Sequence, residues 1–199
     1  ATVTNTKDVT VEIGIGANTI THKGNTDAKT LTIDASAGGG TAGTLTIADG
    51  TSVQGELTIT GLENNLTIND DFKGTGALSV TTAASDGKTI ALGTSTTLGS
   101  ATVNADLIAD TKTLTVTGSE GLTLTSKEGV IDASAYAGAI AATVVNTTDT
   151  TLKIGTAANT ITHKGDTDAK TLTIDASAGG GTAGTLTIAD GTSVQGELT

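Results

Sequence analysis

Short runs that alternate threonine or another polar residue with leucine, isoleucine or valine recur along the whole chain. They begin with VEIG (11–14), NTIT (18–21), TLTI (30–33), TLTI (44–47), ELTI (56–59) and NLTI (65–68). They continue as ALSV (77–80), KTIA (88–91), SATV (100–103), TLTV (113–116), LTLT (122–125), GVID (129–132), ATVV (142–145) and TLKI (151–154). A period of two sends one side chain to a core and the next to water, so each run predicts a half-buried strand. The intervals carry Gly, Asp, Asn and Ser, which favour turns. Apolar residues nowhere keep the i, i+3, i+4, i+7 spacing of a helix for long. Residues 133–142 (ASAYAGAIAA) are alanine-rich, but Gly138 and the comparable glycine-rich stretch 35–43 predict a loop there.

A longer period sits above this rhythm. Residues 18–58 recur as 159–199 with one change, Asn25 becoming Asp166, an offset of 141. Residues 1–17 align with 142–158 at 10 of 17 positions, so 1–58 match 142–199 at 50 of 58. We therefore take 1–141 as one tandem repeat unit and 142–199 as the start of the next copy, a window on a longer array. Corresponding stretches should share one backbone conformation.

Two all-β architectures accommodate this pattern. In a repetitive β-solenoid (parallel β-helix or β-roll-like), each short strand stacks on the equivalent strand of the next coil. Tandem antiparallel β-sandwich domains are the alternative. Sandwiches usually bring a buried Trp or Tyr and edge prolines, whereas this chain has no Trp, no Pro and a single Tyr. Small residues and closely spaced strands favour the solenoid, although their uneven spacing excludes a perfectly regular one.

Composition narrows the function. The net charge is -11, every one of the ten bases is lysine, and Phe72 and Tyr136 are the two aromatic residues. Nucleic-acid binding normally needs a basic patch and stacking aromatics. No apolar run is long enough for a membrane-spanning helix. Without cysteine there is no disulfide, thiolate metal site or thiol nucleophile. The core should be evenly aliphatic.

Candidate chemistry is sparse. His22 and His163 fall at the same repeat position in THKG, so they are one site seen twice, and we expect exposed turn histidines. Glycosidase chemistry needs two opposed carboxylates, usually beside aromatic sugar platforms. Calcium is a more natural use of turn aspartates, because it takes several carboxylate and carbonyl oxygens. Asp49, with its copy Asp190, and the pair Asp70–Asp71 are the candidate calcium ligands; solvated turn aspartates are the competing reading. No GxSxG and no P-loop occurs, so no enzyme is expected.

The stretch VIDASAYAGAIAATVVNTTDTTLKIGTAANTIT (130–162) resembles repetitive segments of bacterial surface-layer proteins and giant repeats-in-toxin surface adhesins. IDASA appears three times, at 33–37, 131–135 and 174–178. IGIGANTIT (13–21) and IGTAANTIT (154–162) occupy the place of that family's glycine–aspartate nonapeptide. Asn18 and Asn159 stand where the family has its calcium-binding aspartate. The resemblance implies a secreted, extracellular protein of the bacterial cell surface: a structural surface-layer, filament or adhesin-stalk repeat whose partners are copies of itself. A ligand-binding adhesin module on the same fold, taking a cell-surface or host glycan, is the alternative.

Overall fold

The fold comes from a computed structural model that describes residues 1–14, 16–22, 29–37, 43–49, 55–63, 65–69, 76–83, 88–93, 100–127, 129–164, 170–178 and 185–190. Its regular elements are strands. One nine-stranded sheet contains β1 (Thr2–Val3), β3 (Asn18–His22), β5 (Thr44–Asp49), β7 (Asn65–Ile68) and β9 (Lys88–Ala91). It continues with β11 (Thr113–Thr117), β13 (Val130–Ala133), β15 (Thr150–Ile154) and β17 (Leu172–Asp175). The second sheet, also of nine strands, starts with β2 (Val9–Glu12), β4 (Leu31–Asp34), β6 (Leu57–Leu62), β8 (Ala77–Thr82) and β10 (Ser100–Ala105). It ends with β12 (Leu122–Ser126), β14 (Ile140–Val144), β16 (Asn159–His163) and β18 (Leu186–Asp190).

Each strand pairs in parallel with the one two places on, so every coil gives one strand to each sheet. This is a β-solenoid; parallel pairing rules out the antiparallel sandwich. The fourteen alternating runs fall on β2 to β15. Register partners lie between 17 residues apart (Leu114 and Ile131) and 27 apart (Ile20 and Ile47). Uneven spacing survives because the number of residues between strands varies while paired strands still align side by side.

Alternation explains the packing. In β12 Leu122 and Leu124 point in while Thr123 is exposed; in β4 Leu31 and Ile33 are buried beside partly covered Thr32 and Asp34. The inward residues form one aliphatic cluster running from Ile13 to Leu172, with Tyr136 its one aromatic member among the described residues. Among the described residues the ladder slips once, between Ile59 and Leu62 of β6, where Gly61 has φ 60°. That left-handed backbone favours glycine, and a Cβ there would also press on Ser36. The predicted loop holds for 134–139; Ile140, Ala141 and Ala142 instead open β14, and Tyr136 turns into the core.

Corresponding strands of the two copies lie at matching sequence positions: β2 with β15, β3 with β16, β4 with β17 and β5 with β18. In each pair the labels differ by 13, an odd number, so the two members belong to different sheets. The 141-residue offset thus spans six and a half coils. The second copy re-enters the solenoid half a turn out of phase with the first.

Candidate functional site

Every IDASA segment ends a strand with the same turn. Asp34 Oδ1 accepts hydrogen bonds from the Ser36 amide at 3.0 Å and the Ser36 hydroxyl at 2.6 Å. Asp132 does the same with Ser134, at 3.1 and 2.6 Å, and Asp175 takes the Ser177 amide at 2.9 Å. The serine hydroxyl bond is the main reason all three carboxyls sit below the ordinary carboxylate pKa; Lys153, 3.8 Å from Asp132, adds a smaller pull. Asp8 and Asp149 reach across to the next coil and cap the amides of Thr30 and Thr171 at 3.0 and 2.9 Å. These carboxylates bind backbone and hydroxyl groups of the coil corners.

The histidines correct the sequence reading. His22 is 1% exposed and His163 2%. Each is the last residue of its strand, in phase with the inward isoleucine two places earlier (Ile20 and Ile161). The alternation of NTITH carried that signal; placing the histidine in a turn overlooked it. Asn5 donates its amide to the carbonyls of Lys7, Lys29 and Thr30, which points Oδ1 at His22 Nε2, 2.8 Å away. An oxygen acceptor there requires Nε2 to carry the proton, so Nδ1 is left buried without a hydrogen-bond partner. The second copy repeats the pair, His163 Nε2 standing 2.7 Å from Asn146 Oδ1. Lys88 was also legible as inward-facing: it is 4% exposed, in register with the core residue Leu114, and donates to the Glu63 carbonyl at 2.7 Å.

These groups set a pH dependence. Burial holds the His22 pKa below its ordinary 6.5, so the unfolded chain binds this proton more readily than the folded one. Its contribution is whole above pH 6.5 and is lost as pH falls from there through the folded-state value. The depressed carboxyls, ordinary value 3.8, contribute above that pH and lose their contribution as pH falls through their lower folded values. Urea unfolding against pH should therefore show two successive declines. His22→Gln, which keeps a donor for Asn5, should reduce the first and spare the second. Wild-type stability that is level from pH 6.5 down to 3.8 would contradict the assignment.

The candidate calcium ligands are not brought into one described cluster. Asp49 and Asp190 close β5 and β18, their backbones in register with His22 and His163; Asp70 and Asp71 lie outside the described residues. Among the described residues no group of three or more His, Asp or Glu is placed to hold a metal. At the nonapeptide-like turns, Asn18 Nδ2 donates to the carbonyls of Gly14 and Gly16 at 3.0 and 3.1 Å. Asn159 Nδ2 likewise bonds Gly155 and Ala157 at 3.2 and 2.8 Å. An amide donor meets the turn oxygens that a cation would draw on, so these two turns do not fit calcium.

Among the described residues one depression of about 390 Å³ lies along the C-terminal ends of β7, β9, β11 and β13, lined by Thr67, Asn69, Gly93, Thr117, Ser119 and small neighbours. Its lining carries no titratable side chain. Tyr136 packs below, 1% exposed, its hydroxyl held protonated by burial and by nearby Glu120, which push its pKa up to about 12. No family model, no curated protein and no solved structure matches this chain, and its function is read from its own residues.

Proposed function

We propose that this chain is a structural segment of an extracellular bacterial array, of the surface-layer, filament or adhesin-stalk kind, that assembles with copies of itself. One observation carries the reading. The ladder crosses from one copy of the repeat into the next without a break: β12 pairs β14, β14 pairs β16, and β13 pairs β15. Adding a copy therefore lengthens one rod rather than adding a bead, as expected of a polymer whose coils contact only their neighbours. Asp8, Asp34, Asp132, Asp149 and Asp175 tie the corners of that rod, and the histidines are buried at its strand ends, which supports a structural role over catalysis.

The net charge of -11 opposes association of such rods. If Asp49, Asp190, Asp70 and Asp71 bind calcium, the ion relieves that repulsion beyond simple screening. Light scattering and electron microscopy of the purified protein should then show more assembly in calcium than in sodium chloride of equal ionic strength, reversed by chelator. Assembly indifferent to calcium would remove the ion from the proposal. A monodisperse monomer under every condition would remove self-assembly.

A further inference from the structure

The half-turn offset between copies, together with the distribution of charge, bears on how rods meet side by side. Residues facing outward from β6 to β16 of the second sheet form a continuous uncharged strip. Thr58, Ser79, Thr102, Thr123, Ala141 and Thr160 stand in one register row across it. The row two residues along is also uncharged, from Thr81 through Asn104 and Thr125 to Thr162. At about 4.8 Å per strand these six strands span about 24 Å. The first sheet presents a matching strip on β5 to β11, including Thr46, Thr67, Thr89 and Thr115. Beyond it Asp132 is offset by Lys153 in the adjacent strand.

A chain of net charge -11 meets a second copy with least repulsion where its own surface is neutral. Threonine hydroxyls both donate and accept, so such a strip is complementary to itself. The faces are also exchanged by the repeat. Thr19, Thr21 and Thr46 lie outward on the first sheet, while their equivalents Thr160, Thr162 and Thr187 lie outward on the second. Whatever face one copy turns to a neighbour, the next copy turns to the opposite side.

We infer that the array is two-faced: each sheet carries a neutral face on which a second copy of this chain docks, so lateral association builds layers and not pairs, and the half-turn between copies repeats the arrangement on both sides of the rod. This rests on the self-assembly reading above. One strip, two side chains wide, covers far less than the roughly 800 Å² per partner of a standard interface, so each contact is weak and gains strength by repetition along the rod.

The test is electron microscopy and small-angle scattering of the 199-residue chain at rising concentration. It compares wild type with a second-sheet variant (Thr102→Lys, Thr123→Lys), a first-sheet variant (Thr89→Lys, Thr115→Lys) and their combination. Thr111→Lys, in an exposed turn, controls for added charge, and circular dichroism checks the fold. Wild type and control should form stacked layers, each single-face variant should stop at pairs, and the combination should give single rods. Layering unchanged by either face variant, or all lateral association lost with one face, would overturn the two-faced array and leave self-assembly standing. Wild-type rods that join only end to end would do the same. A wild type that is monomeric throughout would overturn both.

Discussion

Leu124→Ala should destabilise the protein by about 2–5 kcal/mol, the usual cost of deleting a large aliphatic side chain from a packed core. Leu124 is fully buried in β12, in register with Val103 of β10 on one side and Ala142 of β14 on the other. Ala142 is already small, so little can move in to fill the space. The coils are thin, and each contacts only its neighbours, so the gap weakens the stack from both directions. Leu107, 54% exposed in the turn after β10, is the control. Leu107→Ala should stay within about 0.5 kcal/mol. Urea unfolding of both variants decides it, and equal losses would mean that the inward row is wrongly assigned.

The second large effect separates two glycines that differ in what stacks against them. Gly155 follows Ile154 of β15, and Gly121 precedes Leu122 of β12. Among the described residues a Cβ on Gly121 would meet nothing within 4 Å, whereas a Cβ on Gly155 would run into the Tyr136 carbonyl of the preceding coil. The obstacle is backbone, so it cannot swing aside as a flexible side chain would. Gly155→Ala should cost about 1–3 kcal/mol through overpacking, and Gly121→Ala should remain within about 0.5 kcal/mol. Both glycines flank a strand, so the comparison holds residue type constant and changes the neighbouring coil. Equal effects at the two glycines would show that local backbone preference, and not stacking, governs both positions.

The Asp–Ser turns and the buried histidines show two degrees of legibility. IDASA could be noticed as a recurrent string, and an aspartate two residues before a serine is the local spacing that closes such a turn. The His22–Asn5 pair joins residues 17 apart on successive coils. Strand phase alone reveals that the histidine is inward; which side chain meets it depends on the coil length, and the corner loops set that length. Asn18 and Asn159 mark a similar boundary. The sequence shows a carboxylate replaced by an amide, while only the folded turn shows that amide bonding its own carbonyls.

The sequence by itself determined the strands, their inward and outward faces, and the repeat, because a period of two and a fixed offset are local properties of the chain. It left the pairing direction open. Alternation of apolar and polar residues is the usual mark of antiparallel sheets with one wet face, since parallel sheets are generally covered on both. Here the strands are parallel and their outer faces are threonine-rich, an arrangement possible because each coil returns through the opposite sheet instead of through a covering helix. Tertiary structure alone decided that return path, and with it the half-turn between copies. The number of strands in 141 residues becomes a question of facing only when successive strands are dealt alternately to two sheets; thirteen is odd, so the same sequence appears on opposite sides of the rod.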